Sequence, residues 1–183
     1  IRAFLAGPGA PFSTKATLRG RVHRTGHLAD VGVKRLAQDG TVAGEVRLVG
    51  LFTPSAYTAS ARAVPFLRGK VEAVLARAGL DPTSHAGRGL LAVLETYPRD
   101  ALFQIDVDLL YRFAIAIINL ADRPRIRVLA RADRFGRFVS LLVYVPKDRF
   151  DTAVRARIGA WLAKALGGRL SASYRISRRG RSR

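Results

Sequence analysis

The chain has 183 residues, of which 49% are apolar, and it carries a formal net charge of +19. That apolar fraction is enough for a folded core and excludes a wholly disordered chain. The absence of cysteine excludes disulfides and cysteine-ligated metals. No apolar run approaches the roughly 18 residues of a membrane span, and the sequence starts with no signal-peptide pattern. We therefore expect a cytoplasmic protein with no membrane partner.

The basic residues are spread over both halves of the sequence, apart from an arginine cluster at its end. A spread excess of arginine favours a solvated basic surface, or one that meets an acidic subunit, over a phosphate-binding site. We therefore expect no nucleic-acid partner. Residues 178–183 are predicted to be a basic tail, and the lack of any methionine indicates a segment of a longer protein.

The first third of the chain predicts an antiparallel sheet. Residues 1–12 are rich in glycine and proline and are predicted to be a linker. Three runs of β-type residues follow within residues 13–61, at Thr17–Arg24, Val31–Leu36 and Glu45–Phe52. Asp39-Gly40 is a hairpin signal between the last two runs. These runs predict a three-stranded sheet.

Residues 62–97 predict a helical connector. Pro65 occupies the first turn of a helix whose apolar stripe ends at Gly79. A second helix, over about Gly87–Tyr97, ends at Pro98 because the residue before a proline disfavours helical geometry.

Residues 98–177 predict a β-α-β-β-α-β unit. Its elements are a strand at Ala101–Ile105, a helix capped by Asp106, strands at Ile126–Ala130 and Phe138–Val145, a helix capped by Asp151 or Thr152, and a strand at Arg169–Ile176. That order is the ferredoxin-like sandwich, with two helices on one face of an antiparallel sheet. The predicted fold class is therefore α+β. The fold serves regulators, nucleic-acid binders and enzymes, so it leaves the function open.

No set of residues predicts a catalytic, cofactor or metal site. His23 and His27 have a metal-binding spacing, but they lie in a strand-and-turn pattern with no carboxylate to complete the set. Glycine pairs occur without the spacing of a phosphate loop, and no nucleophile, base and oxyanion donor can be placed together.

An RNA-binding module is the alternative reading of the sandwich. RNA-recognition motifs of the same topology stack bases on aromatic side chains of two central strands. Phe138 and Phe103 fall at two such positions, whereas Gly136 and Leu141 stand where other aromatics are expected. Each missing ring removes about 1–3 kcal/mol of stacking.

Six phrases occur in a fixed order between about Thr14 and Ser173. They are Thr14–Arg24, Val31–Arg35, Gly44–Thr53, Pro65–Pro82, Leu94–Asp100 and Gly136–Phe150. Each phrase is weak alone, but their ordered combination resembles the large NAD-dependent glutamate dehydrogenases of bacteria.

The resemblance implies a piece of the regulatory region that precedes the catalytic domain of those enzymes. Residues 13–61 would end a PAS-like sheet, and residues 98–177 would form an ACT-like domain. The parent enzymes oxidise glutamate to 2-oxoglutarate and ammonia with NAD, but the substrate lysine motif and the Rossmann glycines are absent from this chain. The resemblance thus implies no cofactor in this segment and NAD in the full-length enzyme. It also implies contacts with the same polypeptide and with other subunits of a homo-oligomer, and an amino-acid effector.

A sandwich with an open sheet face can pair with a second copy, side by side or face to face. The candidate interface residues on that sheet are Phe103, Arg127, Leu129, Phe138 and Ser140. Which alternate residues point outward depends on the strand register.

Overall fold

The computed structural model describes residues 11–22 and 26–175. The strands are β1 (Phe12–Gly20), β2 (Gly26–Leu36), β3 (Val42–Gly50), β4 (Arg127–Ala132) and β5 (Val139–Tyr144). The helices are α1 (Pro54–Thr58), α2 (Pro65–Ala78), α3 (His85–Thr96), α4 (Arg99–Gln104), α5 (Val107–Asp122) and α6 (Thr152–Ala165), with short 3-10 turns at Ala61–Ala63 and Lys147–Arg149. The α+β class is confirmed. The predicted basic tail, most of the predicted linker, and His23 lie outside the described residues.

The three-stranded antiparallel sheet is confirmed, with the order β1-β2-β3. Its second turn follows the predicted Asp39-Gly40 signal, since Asp39 accepts a hydrogen bond from the Thr41 N–H (2.9 Å) and Gly40 has a φ of 80°. The first strand starts earlier than its sequence pattern indicates, because Phe12 is already paired in β1 and only 5% exposed.

The helices share a continuous apolar core. Leu67, Val71 and Val74 of the predicted α2 stripe are fully buried, and the helix ends at Gly79 with a φ of 60°. The Ser84 hydroxyl accepts the Gly87 N–H (3.0 Å) and caps α3. Such caps satisfy backbone donors that have no partner within the helix.

The predicted strand at Ala101–Ile105 is wrong, because this stretch lies in α4 and the turn that follows it. A five-residue stretch with four apolar residues fits a buried helix as well as a buried strand, so periodicity does not separate the two. Asp100 in the first turn favours the helix, and Leu102 and Phe103 are buried among the other helices.

The predicted helix after Asp106 is confirmed as α5. The Asp106 side chain accepts the Leu109 N–H (2.8 Å), and Leu110 and Ala114 are fully buried. The helix packs against α2 and α3, so the helical region continues from the connector as far as Asp122.

The predicted β4–β5 hairpin and the helix that follows it are also confirmed. Asp151 caps α6 by accepting the Val154 N–H (2.6 Å). The final predicted strand is not formed over residues 169–175, and Ile176 lies outside the described residues. A strand requires a neighbour to satisfy its backbone groups, and the described sheet here contains β4 and β5 alone. No described helix is long and apolar enough to cross a membrane.

We predict opposite effects for two alanine substitutions within α3. A Cβ at Gly87 would collide with the backbone carbonyl of Asp81, whereas a Cβ at Gly89 would meet nothing within 4 Å. Gly89→Ala should raise the free energy of unfolding by up to about 1 kcal/mol through helix propensity alone. Gly87→Ala should lower it, because the backbone at Asp81 must shift. Urea unfolding followed by circular dichroism measures both, and equal shifts would contradict the proposed contact.

Candidate functional site

One face of the β4–β5 hairpin packs against the helices. On β4, Leu129 and Arg131 are buried (4% and 8% exposed), whereas the alternating residues Val128 and Ala130 are exposed. On β5, Leu142 and Tyr144 pack against the helical core. Side chains alternate between the two faces of a strand, so the hairpin has an inner face toward the helices and an outer face.

Three of the predicted interface residues lie on the inner face. Arg127 and Leu129 share it because they alternate along β4, and Ser140 joins them through cross-strand pairing. Of these, Leu129 is buried, Ser140 is half-buried and Arg127 is exposed. Phe138 precedes β5 and is half-buried. Whether these four residues contact another subunit stays a prediction.

Phe103 was expected on a sheet, and that placement is wrong. Its ring lies in the helical core and is 5% exposed. It stacks on Phe52 (centroids 4.2 Å apart) and on Phe66 (6.2 Å). Because the first strand of the predicted unit is a helix, Phe103 contributes to core packing within this chain.

The outer face of the hairpin is the surface that sequence reasoning missed. Its residues are all apolar: Val128, Ala130, Ala132, Val139, Leu141 and Val143. Val128 and Val139 remain 41% and 47% exposed. The signal was present in the sequence, since apolar residues alternate with Arg127 and Arg131 along β4, and every second residue of β5 from Val139 is apolar.

A polar cluster joins β1 to the turn of the hairpin. The Thr14 hydroxyl donates to Asp133 Oδ1 (2.7 Å) and accepts from Arg137 Nη2 (2.8 Å). Arg137 Nε also donates to Asp133 Oδ2 (2.8 Å). Thr14 and Asp133 are only 2% and 4% exposed, so each buried polar group here has the partner that burial requires.

Aromatic contacts extend the same cluster. The Phe12 ring meets Phe135 edge to face, with centroids 5.8 Å apart. The Arg134 guanidinium lies 5.8 Å from the Phe12 ring centre. Gly32 leaves room for this ring, because a Cβ at Gly32 would overlap it.

Lys15 follows Thr14 in β1 and contacts the helical region from the opposite face of the strand. Lys15 Nζ lies 2.9 Å from Asp100 Oδ2 in α4, and the Tyr57 hydroxyl donates to Asp100 Oδ1 (3.0 Å). A third contact joins the hairpin to α4, since Arg131 Nη2 donates to Gln104 Oε1 (3.0 Å).

These contacts form a closed triangle of β1, α4 and the hairpin, which we call the junction. The junction residues are Thr14, Lys15, Asp100, Gln104, Arg131, Asp133 and Arg137. A closed triangle restrains each of the three parts through the other two, so a displacement of one must break contacts at two sides.

Burial and hydrogen bonding act in opposite directions on the ionisable groups of the junction. Burial opposes ionisation of Asp133, but hydrogen bonds from Arg137 and Thr14 outweigh it and hold the pKa of this carboxyl below its ordinary value. Burial lowers the pKa of Arg131, although nearby Asp133 and Asp106 partly compensate.

Lys70 supports the junction from inside the helical region. Its Nζ donates to three backbone carbonyls at the end of α4, those of Leu102 (3.0 Å), Phe103 (2.8 Å) and Ile105 (2.7 Å). The last carbonyls of a helix have no partner within it, and here an ammonium group supplies one. Burial lowers the pKa of Lys70 to about 8, partly offset by Asp106.

The described ranges contain no cluster of three or more histidine, cysteine, aspartate or glutamate residues that could hold a metal. The polar groups of the junction are engaged with one another and fix three parts of the chain in place. The arrangement can therefore couple these parts mechanically.

Two family models match the chain. The model described as glutamate dehydrogenase, helical motif 1, matches residues 64–123, and the model described as glutamate dehydrogenase, ACT2 domain, matches residues 127–179. The NAD-specific glutamate dehydrogenase of Pseudomonas aeruginosa is 42% identical over 164 residues, which are 90% of this chain and 10% of that protein. Those of Halomonas elongata and Mycobacterium tuberculosis are 42% and 41% identical over 83% and 76% of this chain, and over 9% and 8% of their own lengths.

The chain belongs to the bacterial NAD-specific glutamate dehydrogenase family. The resemblance inferred from the ordered phrases is thereby confirmed, and the chain spans about a tenth of the length of these relatives. The helical-motif model covers α2 through α5, the same helices that share the buried core. The ACT2 model begins at Arg127 with β4 and includes the hairpin and α6.

We predict energetic coupling between Thr14 and Arg137 across the junction. In a double-mutant cycle with Thr14→Val and Arg137→Met, the coupling energy should be about 0.5–3 kcal/mol in urea unfolding at pH 7. Because the pKa of Asp133 lies below 3.8 in the folded chain, the coupling should persist at pH 5 and fall only as the pH drops through that folded pKa.

The control for this cycle pairs Thr14→Val with Lys164→Met, an exposed residue of α6. That pair should be additive within about 0.5 kcal/mol. Additivity of the junction pair as well would mean that the hydrogen bonds do not hold β1 to the hairpin.

We predict that Lys70→Met destabilises the chain by about 1–3 kcal/mol at pH 7, since it leaves buried carbonyls unpaired. The exposed neighbour Arg68 offers a matched control, and Arg68→Met should change stability by less than about 0.5 kcal/mol. Urea unfolding measures both variants.

The difference in unfolding free energy between the wild-type chain and Lys70→Met should also depend on pH. The folded pKa of about 8 lies below the ordinary value of 10.5, so between these values the unfolded chain binds the proton more tightly. The stability of the wild-type chain relative to Lys70→Met should therefore rise from about pH 8 to 10.5. A difference that stays constant over this window would exclude titration of Lys70.

Proposed function

We propose that this chain is a non-catalytic regulatory and assembly segment of a cytoplasmic NAD-specific glutamate dehydrogenase. In the full-length enzyme the reaction would be oxidation of glutamate to 2-oxoglutarate and ammonia, with NAD as the cofactor bound elsewhere in the polypeptide. The junction is the observation that carries this proposal. It restrains the sheet, the helical motif and the ACT2 hairpin together, as a segment that transmits strain between domains requires.

The family matches support the same proposal. One matching family model is described as a helical motif, and the other is described as an ACT2 domain. The partners we propose are the remainder of the same polypeptide and other subunits of a homo-oligomer. The ligand we propose, from the ACT-like resemblance, is an amino-acid effector.

The RNA-binding alternative loses one of its two stacking residues. Phe103 stacks on Phe52 and Phe66 in the helical core and is only 5% exposed, so no base can stack on its ring. Phe138 alone would supply one ring, and one stacked base contributes about 1–3 kcal/mol. That is too little to hold a single strand without extensive phosphate contacts.

The catalytic half of the proposal predicts that the chain alone makes no NADH from glutamate and NAD. Absorbance at 340 nm measures this, with the Pseudomonas aeruginosa relative as the positive control. Sustained NADH formation by the purified chain, lost on heat denaturation, would overturn the assignment as a non-catalytic segment.

The regulatory half requires the junction to act on the whole enzyme. Arg137→Met in the full-length polypeptide should change the oligomer mass or the shape of the glutamate saturation curve, because the ACT2 hairpin loses a restraint to β1. The KM for NAD is expected to stay within about twofold, a difference below 0.5 kcal/mol. An unchanged mass together with an unchanged saturation curve would contradict the proposal.

A further inference from the structure

The positive charge is divided unevenly among the regions that the structure defines. The helical region, residues 53–122, has seven basic and seven acidic residues and no net charge. The hairpin and α6 region, residues 123–175, has 13 basic residues against three carboxylates. Comparing the two halves of the sequence does not reveal this difference in net charge, because the neutral helical region lies partly in each half. Residues 123–175 thus carry a surplus of ten of the 19 positive charges, and the rest lie in residues 1–52 and 176–183.

Within that region, α6 combines basic side chains with the single tryptophan of the chain. Arg157, Trp161 and Lys164 follow one another at i, i+4 and i+7, so they lie on one face of the helix. All three are exposed, Trp161 by 67%. We call these three residues the Trp161 patch.

Nothing within the described chain neutralises the Trp161 patch. The helix itself, Thr152–Ala165, contains no acidic residue. Arg157 and Lys164 form no ion pair among residues 11–22 and 26–175. The three carboxylates of this region are used elsewhere: Asp133 is engaged in the junction, Asp151 caps the helix, and Asp148 pairs with Arg149 (3.8 Å).

Exposed apolar side chains also follow α6, but on another side of the helix. Leu166 and Leu170 are 55% and 59% exposed. Leu170 also covers Gly159, since a Cβ at Gly159 would lie 3.0 Å from it. Gly159 is two positions before Trp161 and therefore lies on the opposite side of α6, so Trp161 is the apolar anchor of the patch and these leucines are not part of it.

We propose that the Trp161 patch docks onto a protein surface that presents an apolar cleft flanked by carboxylates. Tryptophan and arginine are the side chains that most often dominate binding energy at protein interfaces. An exposed amphipathic helix that seats an apolar anchor in a groove is a common recognition mode. Docking of this patch would serve the assembly role, so the inference rests on the proposed function.

Charge complementarity selects this occupant over the others. A second copy of this surface would bring two regions with a surplus of ten positive charges each into contact, which like-charge repulsion opposes. Phosphate binding alone would use Arg157 and Lys164 but not the exposed indole of Trp161. An acidic protein surface with an apolar cleft satisfies both features.

The experiment uses Trp161 as its own reporter, because the chain contains no other tryptophan. The 183-residue chain is titrated at 50 mM salt with four probes at matched charge concentration. The probes are an amphipathic helical peptide of glutamate and leucine, poly-L-glutamate, poly-uridylate, and phosphatidylcholine vesicles containing phosphatidylglycerol. We expect the amphipathic peptide to bind most tightly, with a blue shift of the Trp161 emission.

Matched variants locate the binding surface. Arg157→Ala and Lys164→Ala should each weaken peptide binding several-fold. Arg155→Ala removes the same charge from a different side of α6 and should change it by less than twofold. Trp161→Ala, followed by the anisotropy of a labelled peptide, should weaken binding at least tenfold, and circular dichroism verifies that each variant is folded.

Three outcomes would overturn the proposal. Tighter binding of poly-uridylate or of the vesicles would assign the patch to phosphate groups instead of protein. Equal binding of poly-L-glutamate without a blue shift would mean that charge acts without the apolar cleft. Absence of saturable peptide binding would remove the docking role. None of these results bears on whether the chain makes NADH, so the proposed function is tested separately.

Discussion

The position of α4 is the constraint on which the other regions depend, and Lys70 makes that position tenable. The helix is six residues long, and its end is buried between other helices. Its last carbonyls would be unpaired there without the Lys70 ammonium, and each buried unpaired group costs about 1–3 kcal/mol. Once α4 is fixed, Asp100 places β1 and Gln104 places the hairpin. A short helix thus links the sheet, the helical core and the ACT2 region.

The same feature explains where sequence reasoning failed. The strands of the first sheet, α2, α3, α5, the hairpin and α6 all followed from caps, turn signals and apolar spacing, which are local. The stretch Ala101–Ile105 has no decisive local signal, because so short a stretch with four apolar residues suits either state. The helical state is stabilised by Lys70, about 30 residues earlier in the chain, and by the aromatic stack around Phe103. Neither contact can be derived from spacing.

The candidate interface shows a second limit of sequence reasoning. Alternation correctly placed Arg127 and Leu129 on one face of β4, because side-chain parity is a property of the strand itself. Parity does not say which face meets the rest of the molecule. That depended on the long helix α5 and its neighbours, which pack on the side of Leu129. The outer face, with Val128 and Val139, was consequently overlooked.

The distribution of charge follows from the same division of roles. Charged groups in the helical motif are used within the chain: Glu95 accepts the Ala61 N–H (2.8 Å), Asp100 pairs with Lys15, and Lys70 closes α4. A region whose charges are matched internally gains little from a charged partner. The ACT2 region matches Asp133 to Arg137 at the junction and leaves Arg157 and Lys164 without a partner in the described chain. Intramolecular contacts therefore account for the neutral helices, whereas the charge of α6 is left for contacts with another surface.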